Sequence, residues 1–530
     1  MKPVRVRIAP SPTGYPHIGT IWQALLNYSF ARKNKGKFIV RIEDTDRARF
    51  VADAEKSLFS ALKWFALEPD ESPLHGGPFG PYRQSERLKL YKTYAGKLVK
   101  EGKAYYCTCS PERLAKVREE KQKKGLPPMY DEHCRELHLD KKNLAEGAYV
   151  IRLKAPKDTK IVVKDLLRGD IIFDSNTIDD QIILKSDGFP TYHLAVVVDD
   201  HSMQISHMVR AEEWLPSAPK NWLLYEYFGW EKPIFIHTPI LRNPDHSKMS
   251  KRQGHTASSW YQERFIKEAI LNYLSLLGWS HPEEKEIFGL DEFIKYFDLK
   301  DMSVSGPVFD LKKLEYINGI YIRQMREKSL TDILKQKTSF LNIPDSWWPK
   351  IIPLVKERIK DFSPESLDLW LGFYSTPPVF NKDIVVKPRG ANEPLVGQKP
   401  QGLHLAEGKV GTHVKADKTG KKPQGLPSVS PGVSAVSPTV FKDPLLAKIQ
   451  LQAMYDLLEK IKEGDWQFEN LQKQLLYLVD NTEGWKRPGF FLNLRLAVTG
   501  SKISPPLIES MEIIGKKGSL QRVKDTIKLL

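Results

Sequence analysis

The feature that most narrows the fold lies at the start of the chain, where two β-rich runs flank a helical one. Val4 to Ala9 is β-branched and alternating enough for a buried strand, and Phe38 to Ile42 reads as a second. Between them, Ile18 to Lys35 places Trp22, Leu25, Leu26 and Phe30 on one helical face. Strand, helix and strand in that order make a βαβ unit, which implies a parallel sheet with a right-handed crossover. The intervening loop, SPTGYPHIGT from Ser11 to Thr20, then opens at the carboxyl edge of a strand, where open α/β sheets bind nucleotides. It contains no GxGxxG, and no Walker loop occurs in the chain. What it offers is His17 and Gly19 at a helix start. His17 can donate to a phosphate oxygen, the first-turn amides are expected to favour phosphate, and Gly19 lets an adenine ring approach the backbone.

Residues 96–188 interrupt this pattern with charged helices and short strands, including Tyr149 to Leu153 and Ile161 to Leu166, and read as an insertion between two halves of one α/β domain. A strand-rich stretch is expected to resume at Gln181 to Leu184 and at Tyr192 to Asp199. From about Phe265 the apolar period is helical, and it resumes at Asp443 after an interruption. The interruption, Arg389 to Thr439, is rich in Pro, Gly, Ser and Lys and carries the pentapeptide KPQGL twice. Such a composition buries too little apolar area to offset its ordering entropy, so residues 389–439 are expected to be a disordered insert.

Charge adds a hint about partners. The 530-residue chain has a formal surplus of 16 positive charges, and residues 84–160 supply half of it, with 19 Lys and Arg against 11 Asp and Glu. A basic region of that kind suits a phosphate backbone, and it also suits a run of solvated helix faces. No stretch approaches the roughly 20 apolar residues of a membrane helix, and MKPVRVRIAPSPTG lacks a signal-peptide run, so a cytoplasmic protein without a membrane partner is expected.

Far downstream, Ser247 to Gly254 reads SKMSKRQG, a loop with Lys248, Lys251 and Arg252 beside small polar residues and a glycine. Lysines of this kind act as point charges on a leaving pyrophosphate. The two motifs in this order resemble the HIGH and KMSKS signatures of class I aminoacyl-tRNA synthetases. RIAPSPTGYPHIGT from Arg7, RIEDTDRAR from Arg41, the stretch Gly188 to Trp214 and LRLAVTGS at Leu494 to Ser501 look like a bacterial-type glutamyl-tRNA synthetase.

That resemblance implies an α/β fold. A Rossmann-type parallel-sheet catalytic domain (1–95 and 189–300) carries an inserted α+β domain for the tRNA acceptor end (96–188). A stem-contact helical domain (301–380) and an all-α anticodon-binding region (381–530) follow. It implies a glutamate–tRNA ligase acting on L-glutamate, ATP with Mg²⁺ and tRNA(Glu), as a monomer. His17, Lys248 and Lys251 would be catalytic, and His17, Gly19, Glu213 and Lys251 would bind ATP. Arg7, Ser11, Glu43, Tyr192 and Arg210 would hold glutamate, whose two carboxylates and ammonium call for guanidinium forks and an acidic partner. Glu43 could instead pair with Arg41 or Arg47, and Tyr192 could belong to the core. Val196 stands where the family commonly has asparagine, which removes one expected polar contact. Two relatives remain as alternatives: a synthetase-like enzyme that glutamylates queuosine in tRNA, which lacks the helical C-terminal half, and a non-catalytic RNA-binding relative.

All three cysteines fall between residues 107 and 134. Cys107, Cys109 and Cys134 resemble the zinc knuckle some family members carry. They would hold one structural Zn if Tyr130, His133, Glu136 or His138 closed the tetrahedron, and are otherwise free thiols.

Overall fold

The computed structural model describes residues 3–46, 49, 51–145, 147–249, 256–377 and 441–530. Lys251, Arg252, Arg47 and the 389–439 insert lie outside the described residues. The chain packs as two units. One runs to Met325 and includes Lys360–Phe362, and the other comprises Arg326–Ile359 and Ser363–Leu530.

The first unit opens with the expected βαβ: β1 (Arg5–Ile8), α1 (Ile18–Lys33) and β2 (Lys37–Val40), with the strands parallel. α1 is buried on most of its surface, including Trp22, Leu25, Leu26 and Phe30, because it lies against both the sheet and later helices. α2 (Ala54–Trp64), α3 (Leu88–Lys100), β3 (Ala104–Cys107) and α4 (Pro111–Lys123) follow, then β4 (Val150–Leu153), β5 (Lys160–Asp165), β6 (Gly169–Asp174) and β7 (Ile182–Leu184). β3, β4 and β7 form an antiparallel sheet of their own.

The chain then returns to the parallel sheet through α5 (Tyr192–Ser202), β8 (His207–Ala211), α6 (Ala218–Phe228) and β9 (Ile234–Thr238). β8 and β9 pair in parallel, and the Ser206 N–H donates to Arg5 O at 3.0 Å, which seats β8 beside β1. Four helices complete the unit: α7 (Ser258–Arg264), α8 (Lys267–Ser275), α9 (Leu290–Tyr296) and α10 (Leu311–Gln324). One apolar cluster joins the α1 face to α8, α9 and α10, and a second surrounds α5 and α6.

Two expectations need correction. Tyr192 to Asp199 is not strand but the greater part of α5. Leu194, Ala195, Val196, Val197 and Val198 are all buried, so the run carries no amphipathic period, and its β-branched content favoured the wrong element. Packing against α3, α6 and β7 overrides that local preference. Secondly, β5 and β6 lie within the stretch read as an insertion, yet their hairpin joins the parallel sheet, with Asp165 opposite Phe235 of β9.

The second unit is helical throughout its described residues, with its longest elements at Pro444–Lys460, Phe468–Asp480, Arg487–Thr499 and Leu507–Leu529. Leu451, Met454, Leu458, Leu471, Leu475 and Leu494 are fully buried among them. Among the described residues no helix is long and apolar enough to cross a membrane.

Candidate active site

β1 runs parallel to β2 and β8 to β9, and residues from β1, β8 and the segments that follow β1, β2 and β9 surround a cavity of about 920 Å³. Arg7, Ser11, His17, Gly19, Glu43, Tyr192, Arg210, Glu213 and Lys248 all line it. Every candidate substrate-binding or ATP-binding residue within the described chain therefore meets at one place. Lys251 lies outside it.

His17 caps α1 with its own ring. Its Nδ1 accepts the Gly19 N–H at 2.9 Å, so in the neutral ring the proton sits on Nε2, a donor suited to an anion. A Cβ on Gly19 would stand 3.1 Å from that Nδ1, so the glycine keeps the cap in place. The expectation of free first-turn amides fails. The Ile18 N–H donates to Thr256 O, and the Thr20 N–H to His17 O, so these groups are already bonded. The helix field remains to favour a phosphate.

Arg210 and its surroundings make the most specific feature of the cavity. Nε donates to His237 Nε2 at 2.9 Å, and Nη1 donates to Asn221 Oδ1 at 2.8 Å and to the Tyr192 hydroxyl at 3.1 Å. Nη2 is buried and has no hydrogen-bond partner among the described residues. Two donors of a buried guanidinium are thus left without an acceptor among the described residues, on a side chain that lines the cavity, and a carboxylate matches them in charge and fork geometry. The Tyr192 ring stacks on Trp214, with centroids 4.3 Å apart, and forms part of the wall.

Arg7 differs from its expected role in detail. Its Nε and Nη2 grip Asp200, both at 3.0 Å, and Nη1 donates to Val209 O at 2.9 Å. Asp200 also accepts from Arg41 Nη1 at 2.6 Å, and Arg41 Nη2 reaches Glu43 at 3.0 Å. The Glu43–Arg41 pairing is therefore present, and Glu43 lines the cavity as well. Burial pushes the Glu43 carboxyl above its usual range despite the Arg41 guanidinium. An ammonium arriving beside it would draw it back to the carboxylate form.

At the rim, Lys248 donates to Glu213. Both side chains are substantially exposed, so the pair contributes little to stability, and Lys248 can exchange the carboxylate for a phosphate at small cost. Val196, by contrast, is fully buried in the apolar cluster around α5 and is not among the described residues lining the cavity.

Asp200, Asn221, His237 and Trp214 are residues that motif reading missed. The signals of Asp200 and His237 were present as polar positions inside apolar runs, VVVDD and FIHT, where burial demands a partner.

Away from the cavity, the three thiols come together, with all Sγ atoms within 4.8 Å of one another. The Tyr130 hydroxyl lies 3.4 Å from Cys107 Sγ and 3.3 Å from Cys109 Sγ, and Cys109 and Cys134 are 3.5 Å apart. A tetrahedral zinc with sulfur ligands places its thiolates ~3.8 Å apart, so the cluster fits such an ion. Of the four neighbours considered as a fourth ligand, Tyr130 is the one brought to the thiols. His133, Glu136 and His138 are exposed, and Glu136 meets Lys154 instead.

Residues 3–316 match the family of tRNA synthetases class I (E and Q), catalytic domain, and residues 438–527 match an anticodon binding domain. A glutamate–tRNA ligase of Acidothermus cellulolyticus is 40% identical over 528 residues, 98% of this chain and 95% of its own. One from Pseudomonas aeruginosa is 48% identical over 367 residues, 68% of this chain and 74% of its own. The crystal structure of a glutamate tRNA ligase from Elizabethkingia meningosepticum in complex with its amino acid aligns with a TM-score of 0.76 at 31% identity, covering 99% of both chains.

Proposed function

Because the chain belongs to the class I tRNA synthetases, among the glutamate–tRNA ligases, we propose that its cavity activates L-glutamate with ATP and passes the glutamyl group to the 3′ end of tRNA(Glu). The observation that carries the assignment of the amino-acid pocket is the unpartnered Nη2 of Arg210, a buried cationic fork beside a cavity. It receives one carboxylate of glutamate. Arg7 and Ser11 line the same pocket, and Glu43 takes the α-ammonium.

ATP would enter as its Mg²⁺ complex, the ion supplying neutralisation of phosphate charge, and the glutamate α-carboxylate attacks the α-phosphate with pyrophosphate as the leaving group. The His17 Nε2–H donates to the phosphate oxygen on which charge grows, and Gly19 leaves room for the base. Lys248 leaves Glu213 for the departing pyrophosphate, with Lys251 from the same loop. These contacts matter most where charge is greatest, in the transition state. Lys251→Ala is therefore expected to slow adenylate formation by about 100-fold while leaving glutamate binding nearly intact. Single-turnover pyrophosphate release at varied glutamate gives both quantities, and equal losses in binding and rate would remove that role.

The tRNA runs along the remainder of the chain. In this reading residues 96–188 hold the acceptor end, 301–380 meet the stem and 381–530 read the anticodon, with the protein acting as a monomer. The basic stretch 84–160 supports the first of these. Pyrophosphate exchange with glutamate and then glutamine, each with and without tRNA, tests the whole reading. Glutamine activated as efficiently as glutamate would sink the pocket assignment.

Cys107, Cys109 and Cys134, with the Tyr130 hydroxyl as the fourth group, would hold one structural zinc, which ties β3 to the loop around Cys134. Reduced, chelator-free protein is expected to contain about one zinc per chain by elemental analysis, and protein holding none would leave the cluster as free thiols.

A further inference from the structure

Behind Arg210 stands a second layer of buried polar groups that touches neither the cavity nor the reacting atoms. In the parallel pairing of β8 with β9, Arg210 is in register with His237, so the two side chains leave the sheet on one face. His237 is fully buried and is bonded at both ring nitrogens. Nε2 lies 2.9 Å from Arg210 Nε, and Nδ1 lies 2.7 Å from Asp165 Oδ2. An arginine Nε–H can only donate, so Nε2 must be the acceptor and the ring proton must sit on Nδ1, facing Asp165.

Asp165 is well suited to impose that tautomer. Its Oδ2 also accepts the His237 N–H at 3.0 Å, and its Oδ1 accepts the Leu167 and Arg168 N–H groups at 3.0 and 3.1 Å. Four donors converge on one buried carboxylate, and none of its surroundings can accept a proton from it. Burial holds the His237 ring below the usual imidazole range in spite of Asp165, and Arg210 adds to that, so the neutral ring is maintained.

Resting on the assignment of Arg210 to the substrate carboxylate, we propose that Asp165 and His237 are positioning residues for glutamate selection. Asp165 fixes the imidazole tautomer, His237 holds Nε of the guanidinium, and the plane of the fork is thereby set so that Nη2 points its two hydrogens at the ligand. Asn221 and Tyr192 hold the other terminal nitrogen, so His237 is the third point that fixes the plane. Asp165 comes from β5, which explains why that hairpin is built into the parallel sheet although it lies within the intervening segment.

The test uses the full chain in tRNA-supplemented pyrophosphate exchange, with KM measured separately for glutamate and for ATP and a melting curve for each variant. His237→Leu removes the acceptor and is expected to raise the glutamate KM about tenfold or more, with the ATP KM within about twofold. His237→Gln presents an amide oxygen at similar reach and is expected to recover most of that loss. Asp165→Asn changes no volume. Its amide nitrogen donates where a carboxylate accepted, so the ring takes its proton on Nε2 and turns a donor toward Arg210 Nε. The same selective rise in glutamate KM is expected, and it is decisive should His237→Leu fail to fold. His237→Gln as impaired as His237→Leu, glutamate and ATP KM rising together, or an unmoved glutamate KM in Asp165→Asn would overturn the proposal. An unmoved glutamate KM in Arg210→Ala would instead overturn the assignment of Arg210 on which it rests.

Discussion

Arg210→Ala is expected to lower kcat/KM for glutamate by about 10³-fold, with the KM for ATP changed no more than about twofold, in pyrophosphate exchange supplemented with tRNA. Nε and Nη1 are already bonded within the protein, so the guanidinium is held before any ligand arrives, and only Nη2 is left to be satisfied. Ordering has been done in advance, and truncation removes a desolvated charge-assisted contact without a compensating gain of water. Arg210→Lys should recover little, since an ammonium cannot reproduce a planar fork held on three sides. The same geometry rejects glutamine. Exchanging a carboxylate oxygen for NH₂ turns donors toward the donors of Nη2 and leaves a buried guanidinium unpaired, a mismatch worth roughly 10⁴-fold in discrimination. Parallel losses in glutamate and ATP kinetics would mean that Arg210 supports the cavity as a whole and does not read the amino acid.

What could be read from the sequence, and what could not, divides by distance along the chain. The βαβ unit was legible because its strands, helix and loop are contiguous and their periods differ. The location of His17, Gly19, Ser11, Glu213 and Lys248 followed from motifs with local wording. The partners of those residues were hidden. Arg7 could be named as a carboxylate binder, but its bidentate hold on Asp200 depends on where α5 packs, and α5 had been read as strand from its β-branched run. Asp165 and His237 were invisible for a related reason, since they meet only when β5 joins β9, and no period in either strand shows which neighbour it will take. Val196, which stands where the family commonly has asparagine and so offers no polar contact, packs in the apolar cluster around α5. Tyr130 was one of four equal candidates until the loop around Cys134 brought its hydroxyl to the thiols.

The charges beneath the cavity lead to the largest expected loss of stability. Asp200→Ala is expected to destabilise the first unit by about 3–5 kcal/mol, because it leaves two buried guanidiniums, those of Arg7 and Arg41, without their shared counter-charge. The surrounding network cannot absorb the loss. Asp199 is already engaged by Arg87, Gln84 and Tyr91, at 2.7, 2.9 and 2.8 Å, and stands 3.6 Å from Arg41 Nε, while Glu43 holds the other side of Arg41, so Arg7 is the guanidinium left without any carboxylate. Asp200→Asn keeps the volume and separates charge from packing, and it should recover only part of the stability. The pH dependence follows from the sign of the shift. Burial alone would raise the Asp200 carboxyl, but the Arg7 and Arg41 guanidiniums outweigh it and hold it below its ordinary range. A depressed folded value means that the stabilisation is complete above the unfolded carboxylate's pKa and is lost as pH falls through the folded one. The gap between wild type and Asp200→Asn in chemical denaturation should therefore be full at neutral pH and shrink only in acid, below the usual carboxylate range. A gap that stays constant into strong acid would show that the aspartate acts through shape and hydrogen bonding, with its charge immaterial to the fold.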